Sequence, residues 1–222
     1  MIDVHAPHER IHGYKDFLLH LLTITVGLLI ALGLEGCVER WHNHELRLQA
    51  EASIRQEVRD NSDEMKQLHG FITEEELRLG KVLQYLHARE AGEKFNVAGL
   101  QLGFSIGSLS ESSWRTAAAT GALNQMDYSQ VQTYAALYQL QERFDGLQDQ
   151  TFSDFQVLQS YVVGGFNPET FPAADAARAE VDVKHALAHL AVMDDIGAAL
   201  GRHYDEVLTG KKNSKLSLDE KK

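Results

Sequence analysis

Two hydrophobic periods divide the chain. From Phe17 to Leu34, FLLHLLTITVGLLIALGL, eighteen residues carry no charge, and only His20, Thr23 and Thr25 interrupt the apolar run. As a helix this stretch is about 27 Å long, close to the ~30 Å hydrocarbon core of a bilayer. Tyr14 and Trp41 bracket it about 40 Å apart, the separation of the two interfacial belts where amphipathic rings sit. The pattern predicts a leader over 1–16 and a transmembrane anchor over 17–37. Gly27, Ala31 and Gly33 fall near one stripe of that anchor, where two helix backbones could approach closely.

After Trp41 the period changes. Ile54, Val58, Asn61, Met65, Leu68, Ile72, Glu75, Leu79, Val82 and Leu86 are spaced alternately by four and three, a coiled-coil-like seam. Asn61 and Glu75 interrupt it as polar residues of the kind that fix register or oligomeric state. The row reads either as a seam between copies or as an amphipathic face packed within one chain. Together with the small residues of the anchor, it points to a homo-oligomer.

No proline occurs between Pro7 and Pro168, so only glycine can interrupt helical runs there. The predicted elements are a long helix over about 38–91 capped by Gly92, a packed loop over 93–111 containing Gly99, Gly103 and Gly107, and a short helix over 112–120 ending at Gly121. Asp127 and Gln130 form a capping-box pattern at the start of a helix over about 128–163. Its apolar face is Val131, Tyr134, Tyr138, Phe144, Phe152, Phe155 and Leu158. After the turn GGFNPETFPAAD, a last helix over about 175–208 presents Val183, Leu187, Leu190, Leu200, Tyr204 and Val207. Gly210 stops it before a polar tail, 210–222, expected to be disordered.

The fold class is therefore all-α: one transmembrane helix continuing into a long helix, followed by an elongated antiparallel helical bundle over 38–209. The first helix, about 80 Å beyond the anchor, outreaches its partners at about 50 Å each. Either part of it is a stalk pairing with another copy, or Gly70 or Gly80 breaks it.

Charge and cysteine content narrow the function. A net charge of −11 repels phosphate backbones, so nucleic acid is not an expected partner. Cys37 is the one cysteine, which excludes an intrachain disulfide. Leu34-Glu35-Gly36-Cys37 has the outline of a lipoprotein cleavage site, but Glu35 sets a charge where an apolar residue is needed. Asp3, Glu9 and Asp16 also make the leader unlike a basic secretory signal. An uncleaved anchor is the expectation. Arg10 and Lys15 before the span balance Arg40 and Arg47 after it, so the positive-inside count is a tie. A short leader before a long acidic domain fits a cytoplasmic amino terminus and a periplasmic bundle.

Three stretches together, VGLLIALGLE followed by Trp41, the charged helix after it, and SSWRTAAATGALNQM followed by a helix with paired tyrosines, carry a resemblance. They resemble uncharacterised single-pass bacterial inner-membrane proteins of the domain-of-unknown-function type, over roughly Tyr14 to Phe144. A common variant of that group has asparagines around the post-anchor tryptophan, where this chain has Glu39, Arg40 and His42. The resemblance implies a bacterial inner-membrane location and no known activity.

Candidate chemistry is sparse. His185 and His189 lie four apart on one helix face and could hold a metal with His203 or Asp194, but no Glu follows the first as a hydrolytic HExxH site needs. His5, His8 and His12 could gather a metal in the leader, and His42-Asn43-His44-Glu45 reads as interfacial polar residues. No phosphate loop, nucleophile elbow or Ser/His/Asp order is present, so no catalytic residue and no cofactor are expected. Trp114 reads as core and Gly121 as a helix cap. The expected role is contact with membrane lipid and with an unidentified membrane or periplasmic protein, as a scaffold, accessory subunit or sensor-like partner. A metal-binding or enzymatic domain on His185 and His189, and a ligand-sensing bundle, are the alternatives.

Overall fold

The computed structural model describes residues 13–98, 100–101, 103–163 and 165–211. The leader histidines His5, His8 and His12, Gly99 and the tail 212–222 lie outside the described residues. The chain is all-α: α1 (Tyr14–Ala91), α2 (Ser112–Ala119), α3 (Tyr128–Ser160) and α4 (Ala173–Thr209), with a 3-10 turn at Ala122–Gln125. It divides into two units at Leu48 and Gln49.

In the first unit the apolar stretch is helical, and none of its most apolar eighteen-residue window is buried. Leu19, Ile24, Leu29 and Leu34 are each more than 60% exposed, which in water would forfeit most of what burying such side chains contributes. The two threonines are absorbed by the helix itself. Thr23 Oγ1 donates to the Leu19 carbonyl at 2.9 Å and Thr25 Oγ1 to that of Leu21 at 2.7 Å, so neither hydroxyl needs water.

In the second unit, α1 ends at a glycine in the left-handed region. Gly92 has φ 70°, and the Glu93 amide donates back to the Ala88 carbonyl at 2.8 Å, the closing bond of a Schellman motif. Gly70 and Gly80 do not break the helix.

Partner residues fix the topology of this unit. Glu57 meets Tyr138 and Asn61 meets Gln141, so α1 and α3 run parallel. Gln141 meets Tyr204 and Asp154 meets His189, so α4 runs antiparallel to α3, and His69–Asp194 and His87–Glu180 set it antiparallel to α1. The chain must therefore return from Tyr85, beside Phe95, to Glu57, beside Ser112, before α3 begins. That is 28 residues of α1, about 42 Å, whereas the 17 residues from Phe95 to Ser112 would span only about 26 Å as a helix. An extended strap covers the distance, and the described residues of 93–111 accordingly form no helix.

The strap, α3 and α4 cover the seam. Ile54, Val58, Met65, Leu68, Ile72, Leu79 and Leu86 are each at most 5% exposed, and Val82 alone of the apolar members is half-buried. Asn61 and Glu75 are likewise used inside the chain. The reading of this row as a contact between copies is thereby corrected: its surface is already spent on the chain's own core. Gly197 of α4 lies where a Cβ would come within 3.2 Å of Phe144 and 3.4 Å of Met65, so its small size lets the three helices close together.

On α3 the inward face includes Leu137, Gln141, Gln148 and Thr151, while Phe152 is 37% exposed. Asp127 stands at the N-cap position, yet its side chain makes no capping bond, and Gln130 Nε2 turns to Tyr134 Oη instead. The capping-box reading is corrected in the same way.

Candidate functional site

The densest polar arrangement lies where α1, the end of the strap, α2 and α3 meet. Glu57, 5% exposed, accepts from five donors: Ser110 Oγ at 2.9 Å, Ser112 Oγ at 3.0 Å, the Ser113 amide at 2.7 Å, the Trp114 amide at 3.4 Å and Tyr138 Oη at 2.6 Å. The Ser113 and Trp114 amides belong to the first turn of α2 and have no partner within that helix. Glu57 thus caps α2 from another helix and sets its charge at the positive end of the α2 dipole.

Burial alone would raise the Glu57 pKa. The Ser113 amide and the hydroxyls of Tyr138, Ser110 and Ser112 outweigh it, and the net direction is down. Tyr138 moves the opposite way, its phenol held protonated by burial and by donation to Glu57. With its lone pairs filled, Glu57 has no acceptor capacity left to take a proton from a substrate.

A set of side-chain amides continues the network along the strap. Asn61 pairs with both backbone groups of Ser110: the Ser110 amide donates to Oδ1 at 2.8 Å, and Nδ2 donates to the Ser110 carbonyl at 2.7 Å. Gln148 does the same for Gly107, at 3.1 and 2.9 Å. Gln141 Nε2 donates to the Ser110 carbonyl, and its Oε1 accepts from Asn61 and Tyr204. The backbone groups of Gly107 and Ser110 thereby find partners without a sheet, as buried amides require. Trp114 stacks on Tyr138 at 5.3 Å over the cluster.

Glu75 is the other buried carboxyl of α1. Its Oε1 pairs with Arg78 at 2.5 Å, while Oε2 is the one buried side-chain polar atom without a partner among the described residues. Burial raises its pKa and Arg78 pulls it back in part.

The histidine candidates do not converge. His185 is exposed, His189 Nδ1 pairs with Asp154 at 2.6 Å, and His203 pairs with Glu206 at 3.4 Å, fourteen residues or about 21 Å of helix beyond His189. Asp194 is engaged by His69 from α1 at 2.6 Å. Among the described residues no three His, Cys, Asp or Glu side chains are grouped to hold a metal ion. Three histidines join helices instead: His69 and His87 tie α1 to α4, and His189 ties α4 to α3, while His203–Glu206 stays within α4.

In the first unit Tyr14 and Trp41 are exposed, as are Gly27, Ala31 and Gly33. Cys37 is a free, exposed thiol with Arg40 Nη2 3.6 Å from its sulfur. Sequence reasoning missed Glu57, Gln141 and Gln148. The missed signal is that Gln141 and Gln148 are polar residues at helical spacing within the otherwise apolar face of α3; Glu57, beside the seam of α1, carried none.

No family model, no curated protein and no solved structure matches the chain. At the level of class, it is an all-α protein with one helix, among the described residues, long and apolar enough to cross a membrane.

Proposed function

We propose that the protein is a membrane-tethered binding module of the bacterial inner membrane, its helical bundle displayed in the periplasm and working through noncovalent contacts as a scaffold, accessory subunit or sensor-like partner. The observation that carries this reading is the wholly unburied apolar stretch of α1, which has no covering inside its own unit and the length of a bilayer core. The polar network supports a binding role over a reaction, because Glu57, Asn61, Gln141 and Gln148 are consumed in holding the strap. With the seam buried in the chain, association between copies falls to the anchor face of Gly27, Ala31 and Gly33.

Cys37 tests orientation and anchor pairing together. In spheroplasts a membrane-impermeant maleimide labels the full-length protein, Cys37→Ser is not labelled, and mild oxidant gives a Cys37-dependent dimer. Labelling only after lysis reverses the orientation, and the absence of a cross-linked dimer removes the anchor pairing.

A further inference from the structure

We propose that the end of the bundle where the α1 terminus, the end of α3 and the start of α4 meet is a binding site for a small neutral ring compound carrying one hydrogen-bonding group, of the phenol type. The end holds a cavity of about 150 Å³. The pocket opens to solvent on one side, and a volume of that order accommodates a single six-membered ring. Val82, Leu86, Leu158 and Val183 supply aliphatic walls, and among the described residues no charged side chain lines it. Val82 is the one apolar seam member left half-buried, and the cavity is what it faces.

The remaining wall is aromatic and held in place. Tyr85 packs edge-on against Phe95 and Phe166 with centroids 6.0 Å apart in each case, and Phe166 meets Phe171 at 5.4 Å. Tyr85 Oη donates to the Pro168 carbonyl at 2.8 Å, and Arg89 donates to that of Phe171 at 2.6 Å. These bonds fix the α3–α4 turn over the cavity, so little ordering is left for a ligand to impose.

Polar selectivity follows from what is already engaged. The Tyr85 hydroxyl is taken by Pro168 and that of Tyr161 by Asp182 at 2.6 Å. Gln101 and Gln159, both exposed and both lining the cavity, make no side-chain hydrogen bond among the described residues. Their amides can donate to and accept from one hydroxyl or carbonyl at the mouth. A carboxylate would lose its hydration with no cation in the lining to replace it.

The test uses the full chain in lipid nanodiscs and follows the fluorine resonance of 4-fluorophenol. Saturable broadening above that of empty discs is expected, with a dissociation constant on the order of 1 mM for so small a ligand. Val82→Phe fills the cavity and should weaken binding about tenfold or more while helicity is kept. Gln159→Leu, at an exposed position, should weaken 4-fluorophenol about fivefold and leave 4-fluorotoluene unchanged. It decides the matter should Val82→Phe lose its helicity. No saturable component, undiminished binding to folded Val82→Phe, unchanged 4-fluorophenol binding to Gln159→Leu, or tighter binding of 4-fluorobenzoate would each overturn the proposal. Purification of the protein with its discs reports separately on the anchor.

Discussion

Glu57 and Tyr138 meet at 2.6 Å inside the bundle, the phenol donating to a carboxylate that has no cationic partner among the described residues. Eighty-one residues apart in sequence, they join α1 to α3 and seat α2 on both. The charge is stabilised by neutral donors and by the first turn of α2, so the pair acts as a latch on the returning strap.

Removing that charge should loosen the latch. Glu57→Gln faces at least one of the donors with an amide NH₂ and should destabilise the protein by about 2–4 kcal/mol, against about 1–2 kcal/mol for Tyr138→Phe. Chemical unfolding of the nanodisc-embedded protein, followed by circular dichroism, reads both. Because the Glu57 pKa is lowered on folding, its contribution is present above the ordinary value of 4.5 and is lost as pH falls through the folded value. The gap between wild type and Glu57→Gln should therefore close in acid.

The strap passes Leu68 so closely that a Cβ on Gly107 would fall 2.3 Å from Leu68 Cδ1 and 2.7 Å from its Cγ. Gly107→Ala must displace a leucine that is only 5% exposed, at about 1–3 kcal/mol. Combined with Leu68→Ala the loss should be smaller than the sum of the single losses, because the second change removes the clash. Additive losses in the same unfolding assay would place the strap elsewhere.

Asp145 gives a pH signature of opposite sign. Burial, then the charges of Glu111 and Asp149, push its pKa up to about 6 from 3.8. The folded carboxyl keeps its proton where the unfolded one has lost it, so this group's contribution to stability falls as pH rises between those values and stays lost above them. The displacement is worth at most about 3 kcal/mol, and partial solvent access reduces it to about 1–2 kcal/mol. Asp145→Asn should raise stability at pH 8 by that amount and flatten the slope between pH 4 and 6. An unchanged slope would contradict the burial of this carboxyl.

Apolar periodicity was enough to read the helices, because Ile54 to Leu86 and Val183 to Val207 repeat at helical spacing whatever they pack against. It could not say what covers the row on α1. Spacing is the same whether the partner is another copy or α3 and α4, and Gly197, which lets α4 approach Met65 and Phe144, carries no period of its own. The polar latch was illegible for a related reason. Glu57 lies beside Val58 in the seam and reads as a solvated flank; only the strap's return, forced by the parallel run of α1 and α3, brings Ser110 and the first turn of α2 onto it. Tyr85, the aromatic centre of the cavity wall, likewise gathers Phe95, Phe166 and Phe171 from segments with no common pattern.

The anchor itself is tested by alkaline extraction of membranes that contain the full-length protein, followed by flotation and intact-mass measurement. A membrane-spanning Phe17–Leu34 keeps the chain in the floating fraction at its full 24.8 kDa, unmodified at Cys37. Recovery of the full-length chain in the soluble fraction would contradict the membrane tether, and a shortened chain with fatty acid on Cys37 would replace the spanning helix with a lipid anchor.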